Sequence, residues 1–353
     1  MDLPNRRIDR TRELERRGVR RTGRTRHVGT RRRQRDGNGA PHAPARAGDE
    51  GRRTRQVHGA RIACRPDGPN GRLDDRCNRR PPRAARAKQT VVRLQDRVAI
   101  ITECGRGETY GVVWARALAR EGAVVVVADP DPARAEEVAD ALRAAGGQAA
   151  ATVIDVGATP SCEALAAFAL ARFGRIDVLA NTHHLWHDLR RDDTSDGYLH
   201  HVLDYNAVSI LRTARAVLPA MRVTGGRIVS LSSIGAWYLG GRPAEQLRQT
   251  GELPSFAYPA SKVLENGLTR FLAGALGAYG ITVNAIAPGM IASPATMERL
   301  TAPERQAFVE RTALRRLLDV SDTTGALLYL ASDDAAHVTG QVLVVDGGLV
   351  MLG

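Results

Sequence analysis

Residues 98–131 read VAIITECGRGETYGVVWARALAREGAVVVVADPD. Two short runs rich in valine and isoleucine, 98–102 and 124–128, flank a glycine-bearing turn and a stretch with the Ala/Leu/Arg chemistry of a helix. The run VVVVA is apolar at every position rather than alternating, as in a strand covered on both faces. Strand, helix and strand in that order are the unit from which parallel sheets are built. The same alternation continues down the chain. Strands are predicted at 149–154, 178–181, 227–231, 282–286 and 342–345, and helices at 112–121, 133–145, 161–173, 195–221, 256–279 and 323–331. The pattern predicts an α/β fold: one doubly wound, Rossmann-like parallel sheet of about seven strands in a single domain.

That domain occupies 91–353, and the rest of the chain differs from it. Residues 1–90 carry 26 Arg and one Lys against 10 acidic residues, a net of +17, while the whole chain stands at +13; residues 91–353 are therefore at −4. The basic segment has many Gly and Pro, scattered single aliphatic residues and no helical or strand period. Such a composition buries too little apolar surface to offset its ordering entropy, so an Arg-rich disordered tail is expected. Its Arg/Gly/Pro/Ala bias also matches translated GC-rich upstream DNA, which makes residues 1–90 an inert tail or a stretch ahead of the true start. The competing reading is a basic arm that neutralises nucleic-acid phosphates. No apolar run is long enough to span a bilayer, and no signal peptide is apparent. The four cysteines, Cys64, Cys77, Cys104 and Cys162, fit no zinc spacing and imply no disulfides. A cytoplasmic protein without membrane contact is expected.

In an open parallel sheet, ligands bind beyond the carboxyl ends of the strands. The turn after the first strand holds Gly105, Gly107 and Gly111, which let backbone N–H groups approach a pyrophosphate at a helix N-terminus. Alone this is a weak signal. The second strand ends in Asp129, 18 residues after Gly111, where a carboxylate can accept hydrogen bonds from an adenosine ribose. It would repel a 2′-phosphate, which favours NAD over NADP. Capping of the next helix by Asp129 or Asp131 is the alternative for this acid.

Further along, YPASK places Tyr258 and Lys262 at i and i+4 on one helical face. A free tyrosine ionises at about pH 10; a neighbouring ammonium favours phenolate, and lowering the pKa by about three units takes about 4 kcal/mol. Pro259 requires the helix to begin nearby, which puts Tyr258 in its first turn at an exposed end. GRIVSLSS ends a strand in Ser232-Ser233, DYNAVSILRTARAVLPAM carries Asn206 inside a helix, and VNAIAPG and VTGQVLVVDGG supply the last strands.

Together these segments resemble the short-chain dehydrogenase/reductase family over residues 93–350. The resemblance implies Tyr258 as the acid/base that exchanges a proton with the substrate oxygen, and Lys262 as the residue that lowers its pKa and holds the nicotinamide ribose. It implies Ser233, with Ser232 the lesser candidate, as the hydroxyl that orients the carbonyl, and Asn206 as the residue that retains a relay water. On the cofactor side it implies Thr102 at the opening of the glycine turn, Asp155 and Val156 beside the adenine, Asn181 after the fourth strand, and Pro288, Gly289, Ile291 and Ser293 beside the carboxamide. The implied activity is NAD-dependent interconversion of a secondary alcohol and a ketone, on an apolar small molecule, by a homotetramer or homodimer built through the helices around Asn206 and Tyr258.

Three features depart from the family. Glu103 stands where the glycine turn opens with glycine, and Gly111 comes two residues late. Thr182, His183 and His184 follow Asn181 in place of small residues. Ser233 and Tyr258 are 25 residues apart, with GGRPAEQLRQTGELPS inserted as an expected loop over the substrate mouth. Trp237, Tyr238, Leu239 and Phe256 suggest an apolar mouth. Glu103 and His184 motivate the alternative of a non-catalytic nucleotide-sensing or interaction protein. His183, His184, His187, His200 and His201 lack a carboxylate or thiolate at metal-ligand spacing, so no metal is expected.

Overall fold

The computed structural model describes residues 92–105, 107–185, 193–237 and 242–352. The basic segment lies outside them, as do His187, Tyr238 and Leu239. Seven strands form one sheet in the order β3-β2-β1-β4-β5-β6-β7, every pair parallel. They are β1 (Val98–Thr102), β2 (Val124–Asp129), β3 (Gln148–Val153), β4 (Val178–Asn181), β5 (Gly226–Leu231), β6 (Ile281–Pro288) and β7 (Val342–Val345). Strand order reverses between β1 and β4, where Thr102 lies in register with both Ala128 and Asn181. The crevice that this reversal opens is where open sheets bind ligands.

Each apolar strand serves two layers. Ala99, Ile101, Val125 and Val127 face α1 (Tyr110–Arg120), α2 (Pro132–Ala144) and α10 (Thr324–Ala331). Their neighbours Val98, Ile100, Val124 and Val126 face α3 (Thr159–Phe173) and α5 (Ser209–Thr224), with Leu272 and Leu276 of α7 (Ala257–Leu276). A period of two on a run with no polar member is thus a strand buried from both sides. Trp114, fully buried in α1, donates its indole N–H to Thr323 Oγ1 at 2.9 Å and ties α1 to the turn before α10.

Three parts of the chain differ from the sequence expectation. The helix expected over 195–221 is broken: α4 (Asp196–Leu203) passes through a π turn, Asp204–Val208, into α5. One extra residue in that turn re-aims the side chains it carries, and Asn206 is among them. The insertion after β5 is not loop throughout, because α6 (Arg242–Thr250) forms in it. Two helices absent from the expectation, α8 (Pro294–Arg299) and α9 (Ala302–Arg311), follow β6. In α9, Thr301 and Glu304 cap each other's backbone N–H groups.

Candidate active site

Tyr258 is the second residue of α7, as Pro259 requires, but its side chain is half-buried rather than at an exposed end. Its hydroxyl is hydrogen-bonded to the Ser233 side chain. Gly235 makes this approach possible: a Cβ there would stand 3.2 Å from the Tyr258 ring and 3.3 Å from Ser233 Oγ. Ser232 points the other way and donates to Asn266 Oδ1 at 2.7 Å, so of the two serines only Ser233 reaches the tyrosine. The Lys262 ammonium sits 5.4 Å from the centre of the Tyr258 ring. It is fully buried, donating to Leu231 O at 3.1 Å and to Glu265 Oε1 at 2.7 Å. Burial raises the Tyr258 pKa above its ordinary value, against the opposing pull of Lys262 and Ser233, and the Glu265 charge adds to the rise. The lowered pKa expected from the Tyr/Lys spacing is therefore not what this site has, since desolvation outweighs a lysine already paired with a carboxylate.

Asn206 is fully buried, and its amide is engaged at both ends. Oδ1 accepts from the Leu185 N–H at 2.7 Å, and Nδ2 donates to Ser261 Oγ at 3.0 Å. Ser261 in turn donates to the Tyr258 carbonyl at 2.8 Å. The π turn thus fixes the start of α7 to the segment that follows β4.

At the other end of the crevice, Asp129 caps the glycine turn. One carboxylate oxygen accepts from Cys104 N at 2.8 Å and Gly105 N at 3.2 Å, the other from Asp131 N at 3.0 Å. Helix capping falls to Asp131, whose side chain accepts from Ala133 N. Gly105 and Gly107 adopt φ of +63° and +75°, the left-handed region that favours glycine, and a Cβ on Gly107 would meet nothing within 4 Å. Gly111 serves packing instead: a Cβ there would lie 2.4 Å from Glu103 O and 2.6 Å from Cys104 Cα. A side-chain-free backbone edge at the α1 N-terminus, with an acid at the end of β2, fits a nicotinamide dinucleotide.

Glu103 also adopts a left-handed φ, +57°, and turns its carboxyl inward, where Tyr205 of the π turn donates its hydroxyl. Burial, and more weakly the charges of Asp129 and Asp155, push its pKa up to about 7 against the Tyr205 hydrogen bond. His183 points into the protein as well. Its Nδ1 lies 2.8 Å from Thr102 Oγ1 and its Nε2 2.7 Å from Ser209 Oγ. Ser209 must donate to the Tyr205 carbonyl, and Thr102 Oγ1 already accepts from Thr182 N, so the proton on His183 is at Nε2. Burial first, then the charge of Lys262, lowers its pKa to about 3, which keeps the ring neutral. His184 stacks edge-on against Tyr110, a residue of α1 whose pKa is raised by burial and further by Tyr258. No group of three or more metal-binding side chains occurs among the described residues.

The remaining candidates line the same carboxyl ends. Val156 is buried beyond β3, while Asp155 is exposed and accepts from Gly157 N at 2.8 Å. Asn181 is engaged within the sheet, donating to Ser230 Oγ at 3.1 Å and accepting from Thr213 Oγ1 at 2.9 Å. Pro288 ends β6, and Gly289 packs so tightly that a Cβ would stand 2.8 Å from that of Asp346. Ile291 bridges to Leu318, and Ser293 caps α8.

The profile of the family described as enoyl-(acyl carrier protein) reductase matches residues 109–350. The short-chain reductase protein NovJ of Streptomyces niveus is 33% identical over 271 residues, covering 75% of this chain and 98% of its own. The chain belongs to the short-chain dehydrogenase/reductase family. The 7α-hydroxysteroid dehydrogenase of Bacteroides fragilis is 31% identical, covering 73% of this chain and 96% of its own. A solved 7α-hydroxysteroid dehydrogenase, complexed with NADH and 7-oxo glycochenodeoxycholic acid, superimposes with a TM-score of 0.65 at 32% identity, covering 73% of this chain and 96% of that one. Within this family the protein is an oxidoreductase with an NAD(P)-binding Rossmann fold. Glu265, Tyr205 and Tyr110 were not singled out from sequence. Glu265 was legible, since residues 261, 262, 265, 266, 269, 272 and 273 form the buried stripe of α7 and an acid in such a stripe calls for a partner.

Proposed function

We propose that this oxidoreductase interconverts a secondary alcohol and a ketone with NAD, and that Tyr258 is its acid/base. The observation that carries this reading is the convergence of Ser233 and Lys262 on Tyr258, one on its hydroxyl and one on its ring. Bound nicotinamide supplies or accepts the hydride. The protein's residues manage the rest: Ser233 holds the substrate oxygen against the Tyr258 hydroxyl, Tyr258 gives that oxygen its proton in reduction and takes it in oxidation, and Lys262 carries the compensating charge. Asn206 holds the start of α7 in place through Ser261 and is assigned the relay water. Since burial keeps Tyr258 a phenol at neutral pH, it is poised there to donate, which suits ketone reduction.

The cofactor is assigned to Thr102, Gly105, Gly107 and Gly111 at the pyrophosphate. Asp129 takes the ribose, Asp155, Val156 and Asn181 the adenosine side, and Pro288, Gly289, Ile291 and Ser293 the carboxamide side. The Asp129 carboxylate favours NAD over NADP. Apolar substrates follow from the exposed Phe256 and Leu253 beside the start of α7, and from the hydroxysteroid dehydrogenases among the relatives. Val263 and Phe271 on the outward face of α7 support a homodimer or homotetramer built through that helix. The reading places the protein in the cytoplasm. No helix among the described residues is long and apolar enough to cross a membrane.

The test is a screen of secondary alcohols and ketones, cholate and its 7-oxo form included, against NAD(H), followed by Tyr258→Phe on whichever pair turns over. The variant is expected to lose at least about a hundredfold in kcat while binding NADH unchanged. Full activity in the variant would sink the assignment.

A further inference from the structure

Glu265 has no part in the proposed reaction, yet it sits at its centre. It lies one turn along α7 from Lys262, and both side chains are at most 1% exposed. Its Oε1 accepts from the Lys262 ammonium at 2.7 Å, while its Oε2 has no hydrogen-bond partner. Lys262 is thus the sole hydrogen-bonding partner of that carboxyl among the described residues. A carboxyl that served only to knit the interior would have both oxygens satisfied, and an aliphatic side chain at this position would leave none bare. The arrangement makes sense through Lys262, whose ammonium is 5.4 Å from the Tyr258 ring.

We propose that Glu265 is a positioning residue for the acid–base step: it holds the Lys262 ammonium against β5 and withholds part of its positive charge from Tyr258. This rests on the proposed role of Tyr258. The charged and titratable groups bearing on the pair are few. Tyr258 belongs to the same helix. From the segment after β4 comes His183, which burial, and then the Lys262 charge, keep neutral. From β5 comes the Leu231 carbonyl, which shares the ammonium with Glu265. With its carboxylate in place, Glu265 keeps Tyr258 a phenol to higher pH than a Tyr/Lys pair alone would. Alcohol oxidation, which needs the phenolate, is then confined to alkaline solution, while ketone reduction runs at neutral pH. Burial also raises the Glu265 pKa, to about 7, so protonation below that pH frees the full lysine charge to act on Tyr258.

The experiment reads Tyr258 directly and needs neither cofactor nor substrate. Near-ultraviolet tyrosinate absorbance is titrated in the full chain and in Glu265→Gln, each minus its own Tyr258→Phe counterpart. In Glu265→Gln the Tyr258 midpoint is expected to fall by about one pH unit, a tenfold gain in phenolate at a given pH. Glu265→Asp, which keeps the charge but shortens its reach, should fall by less and serves where the glutamine variant does not fold. In a Lys262→Met background, Glu265→Gln should lower the midpoint by much less, because no ammonium is left to release and only the direct repulsion between the two anions is removed. An unmoved or higher midpoint in both Glu265 variants, or an equal shift without Lys262, would overturn the proposal. Absent turnover in the unaltered enzyme would remove the proposed reaction and leave this titration readable.

Discussion

Glu103 lends itself to a quantitative test. Its carboxyl is buried against Tyr205, with a pKa near 7 in the folded protein against 4.5 for an ordinary glutamate. A folded-state pKa above the unfolded one gives stability that is present below the unfolded value and lost as pH rises through the folded one. Integrated from about pH 5 to about pH 8, these two values cost the folded state about 2.5 kcal/mol. Glu103→Gln preserves the size of the side chain and an acceptor for Tyr205 but carries no proton to lose. The assay is urea unfolding of both proteins at the two pH values, and the quantity is the difference of differences. Glu265 shows a similar shift, but it is common to both proteins and cancels. The variant should gain about 2.5 kcal/mol on the unaltered protein as pH rises across that window. Parallel pH profiles, or a variant that loses ground with rising pH, would refute a buried, late-titrating carboxyl.

Gly111→Ala places a Cβ against Glu103 O and Cys104 Cα, both backbone atoms that cannot swing aside. It should cost about 2 kcal/mol or more by forcing β1 and α1 apart, seen as a lower thermal midpoint together with weakened NADH binding. His183→Ala removes the ring between Thr102 and Ser209, leaving a cavity and two hydroxyls without it. A loss of about 3 kcal/mol in denaturant unfolding is expected, and a loss under about 1 kcal/mol would mean that the ring is not the strut it looks to be.

The sheet was legible because its central strands are covered on both faces: 124–128 and 178–180 admit no polar residue that would suggest another period. The Tyr258 helix start was legible from Pro259. What escaped depended on partners distant in sequence. Glu103 reads as a charge aimed at a cofactor until Tyr205, 102 positions away, is seen to take it inward. His183 reads as bulk in a crevice until Ser209 supplies a second partner behind it. The π turn has no composition of its own, since one extra residue in a helix leaves the apolar stripe nearly in phase. The Tyr258 pKa was misjudged because spacing reveals Lys262 but not the desolvation around it. The α9 helix was different: Thr301 and Glu304 form a capping signature that could have been read.

The chain from Thr102 through His183 and Ser209 to the Tyr205 carbonyl has one consequence for traffic through the protein. Every member donates onward, and the last acceptor is a peptide oxygen with no proton to pass on. A relay needs each link to accept a proton on one side as it releases one on the other, and this one ends in a group that cannot. The chain therefore carries no proton past Ser209. On the proposed reading, protons exchanged at Tyr258 do not drain through His183 and Ser209 into the core.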